Sequence, residues 1–272
     1  MDVRTFSNGG RPGVGQPPRR EGSRPLLPQH ARHCPVLESG SALGFMVYAP
    51  LEPNEAVHIG YDGEGKYTCT FFLAVPGGTW DKVFTVAFQH AVGGLGAIRE
   101  SVEFRAPRLT DQNAINMAKA FLMPENLGTP PGAISLRGAT NFQTPAGWDT
   151  VYTPIFNMIE RPVAPMLIVR VETDWFAHAT EFRYVLQPGE GMSLSHTLPI
   201  GQVLFVPRDE VTLVAGTAAE HEAFQTSVSA FFQEKSAHKT STAYGLQYSP
   251  HYLRESRRRR DAAASAAPPS DE

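Results

Sequence analysis

The sequence predicts a mainly β protein: a two-sheet antiparallel β-sandwich or jelly-roll-like barrel with one or two helical insertions. Three observations predict this class: short apolar runs that alternate with polar residues, frequent breaks at Gly and Pro, and few segments with helical spacing. The 24 glycines and 23 prolines among 272 residues are typical of a fold with many turns. Hydrophobic residues make up 42% of the chain, which is enough for a sizeable core.

Nine strands are predicted between residues 44 and 208, where short apolar runs are broken by Gly, Pro, Asn and Asp. In the segment Lys82–His90, Phe84, Val86 and Phe88 fall on one face, as expected for a half-buried strand. The turn Tyr61–Lys66 joins two of the predicted strands as a hairpin. The predicted strands are 44–49, 56–61, 67–73, 83–88, 134–137, 150–156, 166–171, 180–186 and 203–206.

Two helices are predicted to interrupt the strands. Residues 110–122 begin with a cap-like Thr110 or Asp111 and carry apolar residues at helical spacing. Residues 221–232 also have an apolar face, which is predicted to pack across the sandwich. That face consists of Phe224, Val228, Phe231 and Phe232.

Both ends of the chain are predicted to be disordered. Residues 1–35 contain five glycines, six prolines and six arginines against two acids, with no periodicity. Residues 254–272 begin with Arg254 and Arg257–Arg260 and continue into an Ala-rich, Pro-rich and acidic tail. A single β-sandwich domain is therefore expected over residues 36–253.

The charge is distributed unevenly along the chain. The formal net charge is −3, whereas residues 1–35 carry +4 and residues 254–272 carry +1, so the part between them carries −8. An acidic body disfavours nucleic acid as a partner, because the protein's field repels a polyanion.

The sequence also gives expectations about the compartment. No apolar run of signal-peptide length follows Met1, and no run of eighteen apolar residues occurs. The two isolated cysteines, Cys34 and Cys69, do not form a disulfide framework, and Cys69 is predicted to be buried and inert. A cytoplasmic protein without a membrane partner is expected.

Two carboxylates lie two residues apart at Glu172 and Asp174, so on a strand they face the same side. Such a pair could bind a hard cation or separate two pKa values for acid–base catalysis. The alternative is structural: Asp174 caps the following turn, and Glu172 pairs with Arg170 or Arg183. Both interpretations remain open at this point.

Three histidines complete the candidate site. His90 ends a predicted strand before a Gly-rich turn, and His178 and His196 flank another predicted strand. We predict His90, Glu172 and Asp174 as catalytic residues, and His90, Glu172 and His196 as metal ligands. Two histidines and one carboxylate are the ligand set of non-haem Fe(II) oxygenases. The usual short spacings of such ligands are missing, so purely structural histidines are the alternative.

Five short motifs occur in order along the chain. They are Gly44–Pro50, His90–Gly94, Gly138–Asn141, Glu172–Trp175 and Pro188–Pro207. Together they resemble an uncharacterised bacterial domain-of-unknown-function family with a Glu-Thr-Asp-Trp signature. The resemblance covers roughly residues 43–210. It implies a β-rich cytoplasmic domain and no particular activity.

Two classes of function therefore remain open. One is a small-molecule-acting, metal-dependent enzyme of oxygenase type, with a divalent metal such as Fe(II) as its cofactor. The other is a non-catalytic binding or assembly module whose basic tails contact a neighbouring copy, which would make the protein a homo-oligomer. Aromatic residues such as Trp148, Trp175 and Phe176 could line a ligand pocket or fill the core.

Overall fold

The fold is mainly β, as predicted, with antiparallel sheets and helical insertions. The computed structural model describes residues 2–20, 34–90, 98–104, 108–158, 166–241 and 247–266. The chain divides into two compact units, Met1–Asp209 and Glu210–Glu272. A single β-sandwich domain was predicted over residues 36–253, whereas the first compact unit is Met1–Asp209.

The first unit contains the sandwich. Its strands are β1 (Arg4–Ser7), β2 (Phe45–Tyr48), β3 (Glu55–Tyr61), β4 (Lys66–Val75), β5 (Thr79–His90), β6 (Ile98–Phe104), β7 (Ala133–Arg137), β8 (Thr140–Gln143), β9 (Trp148–Thr153), β10 (Met166–Leu167), β11 (Val169–Val171), β12 (Glu181–Val185), β13 (Gly191–Ser195) and β14 (Pro199–Pro207). Its α-helices are α1 (Pro35–Ser41) and α2 (Asp111–Phe121).

These strands form four sheets, and all of their pairings are antiparallel. The strand orders are β13-β3-β4-β5-β6, β11-β9-β14-β2, β10-β12-β7 and β1-β8. Among the strands that the structure describes, no sheet closes on itself, which favours the sandwich over the barrel.

The core follows the alternation of the strands. Phe84, Val86 and Phe88 of β5 are fully buried, as their spacing predicts, and Phe182 of β12 joins the same cluster. Helix α2 adds Phe121 to this core. The side chain of Thr110 caps α2 by accepting the backbone N–H of Asn113, so the predicted helix and one of its two predicted caps are confirmed.

The N-terminal segment, residues 2–20, packs on the sandwich, although disorder was predicted for residues 1–35. Strand β1 pairs with β8, and Arg19 exchanges two backbone hydrogen bonds with Met46 of β2. Arg11 forms a two-pronged ion pair with Glu55, at 2.6 and 2.8 Å. These polar contacts supply the stability that the segment's own few apolar residues cannot, and composition does not reveal them. Residues 21–33 lie outside the described residues.

The second unit contains α3 (Ala218–Ala237), β15 (Thr240–Ser241), β16 (Gln247–Tyr248) and α4 (His251–Ala266). Helix α3 begins with a capping box, in which Thr217 and Glu220 exchange hydrogen bonds. Its predicted apolar face is not buried: Phe224 is 63% exposed and Phe232 is 55% exposed.

Helix α4 extends through the arginine run to Ala266, within residues 254–272, for which disorder was predicted. Arginine and alanine are good helix formers, which accounts for the helix. Residues 267–272 lie outside the described residues. No helix in the described part of the chain is both long and apolar enough to cross a membrane.

Candidate functional site

The Glu-Thr-Asp-Trp motif forms a tight turn directly after β11. The backbone N–H of Phe176 donates to the carbonyl oxygen of Glu172 at 3.0 Å, which closes the turn. We call residues 172–176 the Trp175 turn. Each side chain of the motif has its own partner.

Thr173 fixes the turn through buried contacts between threonine hydroxyls. Its side chain is buried, and its hydroxyl lies 2.9 Å from the hydroxyl of Thr144 and 2.6 Å from that of Thr150. The Thr144 hydroxyl donates in turn to the carbonyl oxygen of Trp148. These buried hydroxyls connect the turn to the start of β9.

Asp174 holds the side of the turn through an ion pair. Its carboxylate accepts the backbone N–H of Gly147 at 3.0 Å and Nη2 of Arg208 at 2.7 Å. The Arg208 hydrogen bond is the main cause of a lowered Asp174 pKa, and the Gly147 N–H adds to it. These contacts agree with the structural interpretation of the motif, in which Asp174 caps the following turn.

Arg208 also binds Asp149, which is buried at the base of the same network. Arg208 donates to Asp149 through Nε at 2.9 Å and through Nη2 at 2.7 Å, and Arg170 donates from the other side at 2.6 Å. Burial alone would raise the pKa of Asp149, but the hydrogen bonds from the two arginines outweigh it and hold that pKa below its usual value.

Glu172 orients the tryptophan. The indole N–H of Trp175 donates to Oε2 of Glu172 at 2.5 Å, and Nη2 of Arg208 lies 3.6 Å from the same oxygen. The predicted partners of Glu172, Arg170 or Arg183, are replaced by Arg208. The hydrogen bond to Glu172 orients the Trp175 ring, and the residue is still 70% exposed.

A cleft of about 340 Å³ lies beside this ring, and we call it the Trp175 cleft. Phe6 of β1, which is 51% exposed, contributes a second exposed ring. The amides of Asn141 and Gln143 contribute polar groups from β8. The lining consists of Phe6, Asn141, Phe142, Gln143, Thr173, Trp175, Ala177, His178 and Ala179.

His178 forms the inner wall of the cleft. Its ring stacks on Phe176 with a centroid distance of 5.4 Å, and its Nε2 lies 3.7 Å from Oε1 of Glu181. Burial lowers the pKa of His178, which keeps the ring neutral near pH 7, although Glu181 opposes this shift. Burial likewise raises the pKa of the neighbouring Tyr152 to about 12.

His196 of the predicted site does not join Glu172 in the described part of the structure. Nδ1 of His196 lies 2.6 Å from the carbonyl oxygen of Leu51, before the start of β14, whereas Arg208 and Glu172 lie at its far end. A nine-residue strand spans roughly 25 Å, so His196 and Glu172 are far apart. His90 ends β5, and its side chain lies outside the described residues.

Among the side chains that the structure describes, Glu172 and Asp174 come together at Arg208, whereas His196 lies apart from them. Within the described residues, no group of three or more His, Cys, Asp or Glu side chains is placed to hold a metal ion. Metal binding and an Fe(II) cofactor stay predictions. Sequence reasoning missed Arg208 and Phe6, because each reaches the site from a distant part of the chain and neither lies in a motif.

Comparison of the chain with protein-family models, with curated proteins and with solved structures gave no match. The resemblance to the domain-of-unknown-function family thus stays a prediction.

Proposed function

We propose that this protein is a non-catalytic binding module that holds a small ring-containing molecule in the Trp175 cleft. The observation that carries the proposal is the exposed ring of Trp175, whose only polar atom is already bonded to Glu172. With the indole N–H occupied, the faces of the ring remain for contact with a ligand.

The composition of the cleft supports a ring-shaped ligand. Trp175 and Phe6 offer apolar ring faces, which gain free energy when they stack on a flat ligand. Gln143 is exposed on the cleft and can exchange hydrogen bonds with a polar ligand group. A few polar groups within an apolar lining are typical of small-molecule sites.

The carboxylates favour binding over acid–base catalysis. A general acid or base works best when its pKa lies near the working pH. The pKa of Asp174 is shifted the other way, because Arg208 stabilises its charged form. Both Asp174 and Glu172 also have specific partners that fix the turn and its ring.

The chain offers a direct readout of this site. It has three tryptophans, so a ¹H–¹⁵N spectrum of the full chain contains three indole N–H signals, which the variants Trp80→Phe, Trp148→Phe and Trp175→Phe assign. A library of single-ring fragments, including phenols, indoles and methyl glycosides, is then titrated. We expect ring-containing fragments to shift the Trp175 signal more than the other two.

Trp80 provides the matched control. It is 47% exposed, yet it lies in β5 outside the cleft. Trp175→Ala should abolish fragment binding, whereas Trp80→Ala should leave it unchanged. If the fragments shift the Trp80 and Trp175 signals equally, or if Trp175→Ala binds them as well as the unaltered protein does, the proposal is wrong.

A further inference from the structure

A second, larger cavity lies where the N-terminal segment crosses the sheet β11-β9-β14-β2. Its volume is about 630 Å³, which falls within the range of small-molecule sites. We call it the N-terminal pocket. Its walls come from β1, from Pro17–Arg20, from Leu43–Phe45 and from the end of β14. Phe142 separates it from the Trp175 cleft, since that side chain lines both cavities.

The pocket has an aromatic floor. The ring of Phe205 lies 5.9 Å from that of Phe45 and 5.5 Å from that of Phe142, measured between centroids. Leu43 and Val206 extend this apolar surface toward the mouth, where Leu43 is 55% exposed. An apolar ligand body would remove this surface from water, which is favourable in proportion to the area that it covers.

The charged groups of the pocket select the ligand's polar end. Among the described lining residues, Arg20 is the one base and Asp2 is the one acid. The Arg20 guanidinium lies over the Phe45 ring, 5.0 Å from its centroid, so it is held against the apolar floor. A guanidinium in this position presents paired N–H donors that match a carboxylate.

We infer that the N-terminal pocket binds a carboxylic acid with an apolar body, with the carboxylate on Arg20 and the body on the three phenylalanines. Asp2 repels the ligand's anionic end, so the carboxylate has to lie on the Arg20 side of the pocket. The site is separate from the Trp175 cleft and takes a different class of ligand.

Isothermal titration calorimetry of the full chain with octanoate and with octan-1-ol tests this inference. The two probes share their chain length and differ in charge. We expect octanoate to bind about tenfold more tightly or better, because a hydrogen-bonded charge pair contributes that much to affinity. Arg20→Gln should remove the preference for octanoate, and Asp2→Asn should tighten octanoate binding several-fold.

Three further variants keep the test specific. Arg4→Gln removes the same charge from the exposed face of β1, outside the pocket, and should bind octanoate as the unaltered protein does. Leu43→Trp fills the mouth of the N-terminal pocket and should abolish binding of both octanoate and octan-1-ol. Circular dichroism confirms that this variant is folded. Trp175→Phe should leave octanoate binding unchanged. Equal affinity for the two probes, or unchanged octanoate binding by Arg20→Gln, would overturn the inference.

Discussion

Thr173 shows how one buried hydroxyl positions the candidate site. It is 2% exposed, and its Oγ1 lies within hydrogen-bond distance of both Thr144 and Thr150. Because it sits between Glu172 and Asp174, its position fixes where both carboxylates and the Trp175 ring lie. A valine of the same shape would keep the packing and leave the two neighbouring hydroxyls with one partner fewer.

Thr173→Val should therefore lower the free energy of unfolding by about 1–3 kcal/mol, which is the cost of buried polar groups that lose a partner. Urea denaturation followed by circular dichroism measures this change. Thr79→Val, at the exposed start of β5, is the matched control and should change stability by less than about 0.5 kcal/mol. Equal effects of the two substitutions would show that the hydroxyl network does not hold the turn.

Asp149 and Asp174 make stability depend on acid pH. Both have a folded-state pKa below the usual 3.8, so the unfolded chain binds protons more readily than the folded protein does. The stabilisation that these two carboxylates give the folded protein is fully present above their pKa in the unfolded chain. It is lost as the pH falls through their lower pKa in the folded protein. The free energy of unfolding should therefore decrease between about pH 5 and about pH 2. The free energy of unfolding of Asp174→Asn should decrease less steeply over the same range, because this variant lacks one of the two carboxylates. Parallel curves for the two proteins would contradict this assignment.

At the residue scale, the spacing argument for Glu172 and Asp174 assumed a strand, whereas both residues lie in the turn that follows β11. Of the two open interpretations, the structural one described how Asp174 fixes this turn. The identity of Glu172's partners could not be predicted, because Arg208 follows a different strand, 36 positions later in the chain. The exposure of Trp175 was equally unpredictable, since an aromatic residue usually lies in the core.

At the scale of elements, a largely buried ion pair is one of the contacts that hold the N-terminal segment. The side chains of Arg11 and Glu55 are 14% and 9% exposed, and Arg11 also donates to the carbonyl oxygen of Pro50 at 2.8 Å. Removing one partner leaves the other charged in a largely dry site, which costs much more than the loss of a surface pair. This pair therefore holds the segment that supplies Phe6 to one cavity and Arg20 to the other.

Arg11→Met should lower the free energy of unfolding by about 2–4 kcal/mol and increase hydrogen exchange in β1. Arg4→Met, in the exposed part of β1, is the control and should have little effect. The double variant Arg11→Met with Glu55→Met should be less destabilised than the two single changes add up to, because the unpaired charge is gone. Additive effects would mean that the two side chains do not interact.

The period-two pattern predicted the strands that have one buried and one open face, such as β3, β4 and β12. This pattern failed where hydrogen bonding to a neighbouring strand, rather than the burial of one face, defines the strand. Residues 166–171 were predicted as one strand, but β10 pairs with β12 while β11 pairs with β9, and Ile168 between them is 66% exposed. All four residues of β1 are exposed, so this strand has no buried face for the pattern to reveal.

At the scale of the whole molecule, the arginine-rich end forms helix α4 of the second unit. Arg257–Arg260 are exposed on α4, and Arg258 pairs with Glu255 of the same helix at 2.7 Å. Assembly through these arginines stays a prediction. Light scattering of the chain with and without residues 254–272 tests it, and identical monomer masses would count against it.

The border between the two units should be the part of the chain that proteases cut most readily. Residues 210–217 have no regular structure, and Val211, Leu213 and Val214 are 86%, 93% and 85% exposed. Thermolysin cleaves beside such apolar residues, and an exposed backbone without sheet or helix hydrogen bonds fits easily into a protease. Limited digestion should therefore give a resistant fragment that ends between residues 210 and 217, which mass spectrometry identifies.

The variant with serine at Val211, Leu213 and Val214 is the control for this cut. It removes the preferred side chains without touching either unit's secondary structure, so it should slow the loss of the full-length band several-fold. The fragment should also keep the β-type circular dichroism spectrum, because the first unit contains the sandwich and its core. If the variant is cleaved as fast as the unaltered chain, the cut does not lie at these apolar residues. If the fragment loses its β spectrum, the sandwich depends on the second unit, and the division at residue 210 does not describe how the protein folds.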